Sequence, residues 1–136
     1  MTISSKNTDL GPVRLLLVDD EKDFVNILAK RFKHRNIDVT KAFSGTEAIQ
    51  ALRENKFDVA VLDLKMEDMD GIEVLKIFKI MDPRLSVIML TGHGSAESAE
   101  QGLKLGAFDY LSKPCELEDL VQKIMQAFAQ RKQNES

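Results

Sequence analysis

The chain contains no tryptophan, one cysteine (Cys115), one tyrosine (Tyr110), two histidines (His34 and His93) and three prolines in 136 residues. A lone cysteine excludes an internal disulfide and suits a reducing compartment, so the expected location is cytoplasmic. Scattered His34, His93 and Cys115 argue against zinc, whose ligands come at close, regular spacings. Long apolar runs are missing too. Stretches such as 15–18 and 59–62 fall far below the roughly 18 residues that a membrane helix needs. The first twelve residues, MTISSKNTDLGP, lack the apolar centre of a secretory signal. Nor is there a large excess of either charge. Nineteen basic against 22 acidic residues give a formal net charge of −3, which offers no overall attraction to a polyphosphate backbone. Neither direct nucleic-acid binding nor membrane association is expected. The basic residues Lys30, Arg31, Lys33, His34 and Arg35 read as the solvated end of a helix.

What is present is a 43% hydrophobic, 30% charged composition, the balance of a globular chain rather than a disordered one. The length suits one domain, expected over residues 13–131, with a flexible lead over 1–12 and a frayed tail over 132–136. Short apolar runs alternate with stretches of helical period, the signature of repeated β-α units around a parallel sheet. Strands are expected at 14–18, 37–42, 59–62, 86–90 and 109–111. Their Leu, Val and Ile runs do not alternate with polar residues, which suits strands covered on both faces.

Helices are expected at 22–35, from Ser44 onward, and at 71–81, 95–105 and 117–131. Ser44-Gly45-Thr46-Glu47 has capping-box spacing and fixes the start of the second helix. Asp82-Pro83 ends the third, because the residue before proline avoids helical angles. Gly106 closes the fourth, whose inward residues are expected to be Ala96, Ala99 and Leu103. Met66, Met69, Met81 and Met89 read as gap-fillers of the core.

In open α/β sheets the ligand crevice lies beyond the carboxyl ends of the strands. In this sequence those ends carry Asp19 and Asp20, Asp63, Thr91 and Lys113. Carboxylates gathered in one crevice repel each other and need a cation. Oxygen ligands specify a hard ion, Mg²⁺ or Mn²⁺ in its place, rather than zinc or copper. A carboxylate beside such an ion can act as a nucleophile toward phosphorus, and Asp63 is the candidate acceptor. Lys113 would neutralise charge on the transferring group, and the Thr91 hydroxyl would donate to one of its oxygens.

With these residues in view, the chain resembles the receiver domain of two-component response regulators over nearly its whole length. The resemblance is carried by Asp19-Asp20 after LLLV, Asp63 after VAVL, Met69-Asp70-Gly71, Thr91 after VIML, and the run GAFDYLSKP ending at Pro114. It implies a flavodoxin-like α/β fold with five parallel strands in the order 2-1-3-4-5 and five helices. It implies that Asp63 accepts the phosphoryl group and that Asp19, Asp20, Asp63 and the backbone carbonyl of Lys65 bind the metal. The donor would be a sensor histidine kinase, a phosphotransfer protein or a small phosphodonor. The only catalysis implied is the chain's own phosphorylation and dephosphorylation. Thr91 and Tyr110 match the family's switch pair, which remodels the face of the fourth helix, fifth strand and fifth helix toward a downstream protein, an output domain or a second copy. Lys113-Pro114 matches a lysine followed by a cis proline. Lys65 and His93 match the two variable positions that tune phosphoryl lifetime.

Many members of that family carry proline four residues after the acceptor, where this chain has Glu67. Two other readings compete. A Mg²⁺-dependent phosphatase using an aspartyl phosphate would need an acid two residues after the nucleophile, and Lys65 stands there. A receiver-like scaffold working without phosphorylation would be expected to have lost site residues, and none is missing.

Overall fold

The computed structural model describes residues 11–92 and 96–135. Its elements run β1 (Val13–Val18), α1 (Lys22–Lys33), β2 (Ile37–Ala42), α2 (Gly45–Glu54), β3 (Val59–Asp63), α3 (Gly71–Met81), β4 (Ser86–Thr91), α4 (Ala96–Lys104), β5 (Asp109–Ser112) and α5 (Leu117–Glu135). The strands form one parallel sheet in the order β2-β1-β3-β4-β5, as the resemblance implies. Expected features at His93, Gly94 and Ser95, and most of the expected lead, lie outside the described residues.

Side chains of successive strand residues point to opposite faces, and both faces are covered. Leu16, Val18, Ala60, Leu62, Val87 and Met89 pack with Ala48, Leu52, Ile72, Leu75 and Phe78 of α2 and α3. Leu15, Leu17, Val59, Val61, Ile88 and Leu90 pack with Val25, Leu28 and Phe32 of α1 and Leu120, Ile124, Ala127 and Phe128 of α5. The central strands are therefore apolar on both sides, the physical reason for their unbroken Leu, Val and Ile. Met89 is fully buried, and Met66, Met69 and Met81 pack half-buried against the core, as gap-fillers should.

Helix α1 ends at Lys33, two residues short of the expected 35, and α4 and α5 depart further from expectation. In α4 the buried residues are Ala99 and Gly102, while Ala96 faces outward and Leu103 is 39% exposed. Gly102 turns the helix, because a Cβ there would lie 2.2 Å from Met89 Sδ and 3.4 Å from Leu75 Cδ2. The helix lies so close to the sheet that its glycine edge makes the contact. In α5 the helical structure runs to Glu135 rather than ending at Arg131. No Gly or Pro interrupts Lys132 to Glu135, and Arg131 is itself anchored, buried against Asp58 at 3.3 Å. Strands β3, β4 and β5 each run one residue beyond the expected end, so Asp63 and Thr91 are the last residues of their strands.

Candidate functional site

Register brings the site residues together. Val18 pairs with Leu62, so Asp19 and Asp63 leave the sheet side by side. Asp63 pairs with Leu90, Thr91 follows Leu90, and Thr91 pairs with Ser112, directly before Lys113. Four neighbouring strands thus deliver their polar residues to one crevice at the carboxyl edge.

Carboxylate oxygens of Asp19, Asp20 and Asp63 lie within 4.8 Å of one another. Asp19 is fully buried and Asp63 is 5% exposed. One oxygen of Asp19 accepts the Glu21 amide at 3.0 Å. The other, Oδ2, is buried and meets the Lys113 ammonium at 2.7 Å. Asp20 accepts the Glu67 amide at 3.1 Å, and Asp63 accepts the Lys65 amide at 3.2 Å. Burial and the Asp19 charge push the Asp63 carboxyl up to about 6, against the opposing effects of the Lys65 amide and the Lys113 charge. Two buried carboxylates this close cannot both hold charge cheaply. This donor set, three carboxylates that offer only hard oxygens within 4.8 Å of one another, fits a divalent cation such as Mg²⁺.

Lys113 supplies the positive charge. Its Nζ stands 2.7 Å from Asp19 Oδ2, 2.7 Å from Glu21 Oε1 and 3.6 Å from Asp63 Oδ2, and 4.6 Å from the centre of the Phe24 ring. Burial opposes its charge, but the contacts to Asp19 and Glu21 outweigh it and hold its pKa above the ordinary lysine value. Its backbone N–H donates to Thr91 O at 2.7 Å, and the Lys113–Pro114 peptide is cis, as the resemblance implies. Thr91 is 4% exposed, and its hydroxyl makes only long contacts, 3.4 Å to Leu111 O and 3.5 Å to Ser112 Oγ. Tyr110 sits on β5 with 40% exposure, directed outward.

The loop after β3 holds Asp63 in place. Leu64 donates to Leu90 O at 3.1 Å, and Gly71 donates to Leu64 O at 3.1 Å. A Cβ on Gly71 would fall 2.5 Å from Leu64 Cα and 2.8 Å from Asp63 O, so only glycine lets α3 start this close to the end of β3. Asp70 caps α3 through Ile72 N at 3.0 Å. Asp68 reaches across to the N-terminus of α2, accepting from Gly45 N at 2.9 Å and Thr46 N at 3.0 Å.

The expected residues Asp19, Asp20, Asp63 and Lys113 are therefore gathered at one point, with Thr91 at the end of the adjoining strand. Lys65 brings its amide to Asp63 while its side chain is exposed, and His93 lies outside the described residues. Sequence reasoning missed Glu21, Phe24 and Asp68. Glu21 follows the acid pair directly, yet nothing in its position says that its side chain turns to Lys113. Phe24 falls on the apolar stripe of α1 and is only half-buried there, and helical period alone does not show that its ring faces Lys113.

A doubly wound parallel sheet with its acids, threonine and lysine collected beyond the strand ends is the architecture of an α/β protein that handles phosphate or a metal ion at one crevice. The chain belongs to the response regulator receiver domain family, whose model matches residues 15–125, and it is a receiver domain of two-component signal transduction. It is 35% identical over 119 residues to the transcriptional regulatory protein ZraR of Salmonella typhimurium, covering 88% of this chain and 27% of that protein. It is likewise 35% identical over 119 residues to the transcriptional regulatory protein GlrR of Escherichia coli, with the same coverage of 88% and 27%. The chain spans about a quarter of the length of these curated relatives, which are regulators. Among solved structures, a response regulator receiver domain protein from Clostridium thermocellum superposes with a TM-score of 0.85 at 34% identity, covering 88% of this chain and 97% of that one. A CheY-like receiver domain protein from Methanospirillum hungatei gives 0.87 at 27% identity, covering 91% and 99%. Among the described residues, no helix is long and apolar enough to cross a membrane.

Proposed function

We propose that Asp63 accepts a phosphoryl group from the phosphohistidine of a sensor kinase or phosphotransfer protein, or from a small phosphodonor, in the cytoplasm. The observation that carries this reading is the meeting of three carboxylates within 4.8 Å, with Lys113 Nζ 3.6 Å from the candidate acceptor. An Asp63 oxygen attacks phosphorus in line. The acyl phosphate O–P bond forms as the bond from phosphorus to the donor nitrogen or oxygen breaks, and the leaving group departs with that electron pair.

Asp19, Asp20 and Asp63, with the Lys65 carbonyl, would hold Mg²⁺, or Mn²⁺ in its place. The ion, when bound, neutralises the carboxylates and the phosphoryl oxygens. Lys113 holds charge on the phosphoryl oxygens. The Thr91 hydroxyl exchanges its two long contacts for a bond to a phosphoryl oxygen, and Tyr110, now outward, follows it inward. This changes the face formed by α4, β5 and α5, where Leu103, Tyr110 and Met125 are exposed. A downstream protein, an output domain or a second copy of the chain would read that change. Lys65 and His93 tune how long the acyl phosphate survives. The chain catalyses only its own loading and hydrolysis.

Incubation with acetyl phosphate and Mg²⁺, followed by intact mass measurement, tests this reading. Wild type should gain one phosphoryl group and Asp63→Asn none, and a chelator should suppress the gain. Equal gain in Asp63→Asn would overturn it.

A further inference from the structure

The geometry points to Glu21 as a positioning residue that draws Lys113 away from the phosphoryl-accepting carboxylate, so that loading requires the Lys113 ammonium to pass from Glu21 to a phosphoryl oxygen. This rests on the reading of Asp63 as acceptor.

Glu21 occupies the N-cap position of α1, with φ −82° and ψ 93°, yet its side chain makes no capping hydrogen bond. Short Ser, Thr, Asp or Asn side chains fill that role best, because their oxygens reach back to the first-turn amides. Here the longer side chain turns away from the helix and meets Lys113 Nζ at 2.7 Å. Lys113 is thereby held by Glu21 and Asp19 at 2.7 Å each, against 3.6 Å to Asp63. The Phe24 ring, one turn along α1, lies 4.6 Å from the ammonium and keeps it on the α1 side of the crevice. Of the three carboxylate partners, Glu21 is 65% exposed at its side chain while Asp19 and Asp63 are buried. Its carboxylate is the one that water can most easily take over. The Glu21 contact is therefore the one that breaks when an incoming dianion competes for the lysine.

The test is a titration with beryllofluoride, a phosphoryl mimic, in Mg²⁺ buffer. Amide NMR shifts follow binding to wild type, Glu21→Gln, Lys113→Ala and the double variant. Glu21→Gln keeps the size of the side chain and removes its charge. It should tighten apparent binding about two- to fivefold, the range expected for an exposed ion pair. In the Lys113→Ala background the same change should have no effect, a result that neither a structural role nor bulk charge would produce. With acetyl phosphate, Glu21→Gln should lower the half-saturating concentration and leave the limiting rate unaltered. Unchanged or weaker binding in Glu21→Gln would overturn the proposal while leaving the Asp63 reading intact, as would equal tightening with and without Lys113. Failure of wild type itself to bind the mimic would overturn both.

Discussion

Asp63 carries a cost that the rest of the molecule must bear. Its carboxyl is pushed up to about 6 by burial and by Asp19, so at neutral pH the folded state holds a charge that the unfolded chain would hold more easily. The folded state binds the extra proton between the unfolded value near 4 and the folded value near 6, so this group's contribution to stability falls as pH rises through that window. Asp63→Asn should therefore stabilise the Mg²⁺-free protein at pH 7 by about 1–3 kcal/mol. That advantage should fade below about pH 4 and shrink when Mg²⁺ is added, both of which thermal or urea unfolding would read. Glu67 makes a second residue-scale case. Its amide, not its carboxylate, holds Asp20 at 3.1 Å, and a proline at that position would have no N–H to give. Glu67→Ala should keep wild-type Mg²⁺ affinity by calorimetry, whereas Glu67→Pro should weaken it about two- to tenfold. Equal affinities would show that the amide does not position Asp20.

Among the elements, the exit of β3 into α3 decides where Asp63 stands. Gly71 lies against Leu64 Cα and Asp63 O, so Gly71→Ala must push α3 off the strand. Overpacking against backbone costs roughly 1–3 kcal/mol, and the same shift should slow loading of Asp63. Denaturant unfolding and the rate of phosphoryl gain check the two effects together; a destabilised variant that loads at the wild-type rate would separate α3 from acceptor geometry. Much at this scale was legible in the sequence. Apolar runs marked the strands, the Ser44 to Glu47 spacing marked α2, where Ser44 Oγ does accept Glu47 N at 3.0 Å, and Asp82-Pro83 ended α3. What the sequence hid were facts of close approach. Leu103 looked inward by helical period, but period cannot show that Gly102 brings α4 down on Met89. Helical pattern likewise placed the end of α5 at Arg131, where apolar residues stop, without revealing that Arg131 is buried on Asp58 and that the helix goes on to Glu135. The candidate site was legible because strand ends are short and their polar residues few. Glu21 was not, because its role depends on where a long exposed side chain turns.

Across the whole molecule, the two edges of the sheet are tied differently. At the carboxyl edge the charges are mutually strained and open to a cation. At the amino edge Asp58, 2% exposed, accepts Arg14 N at 2.9 Å and Arg14 Nη2 at 3.0 Å, with Arg131 Nη1 at 3.3 Å. Burial works to raise its pKa, but the Arg14 bonds and both guanidinium charges leave it below the usual carboxylate value. This clasp joins the start of β1 and the far end of α5 to the loop before β3. Asp58→Asn should destabilise by roughly 2–4 kcal/mol in urea unfolding while leaving Mg²⁺ affinity and acetyl phosphate loading close to wild type, since the clasp lies at the opposite end of the strands. Loss of metal affinity in that variant would contradict the separation of the two edges. Arg35, which belongs to the basic run at the end of α1, pairs with Glu118 of α5, in keeping with a solvated helix end.

The central claim is that the carboxylate of Asp63 becomes an acyl phosphate. Borohydride reduction of protein treated with acetyl phosphate and Mg²⁺ converts an aspartyl phosphate to homoserine, and peptide sequencing by mass spectrometry locates it. The account predicts homoserine at position 63 and nowhere else. Homoserine at another aspartate, or a retained phosphoryl group with position 63 unreduced, would contradict it.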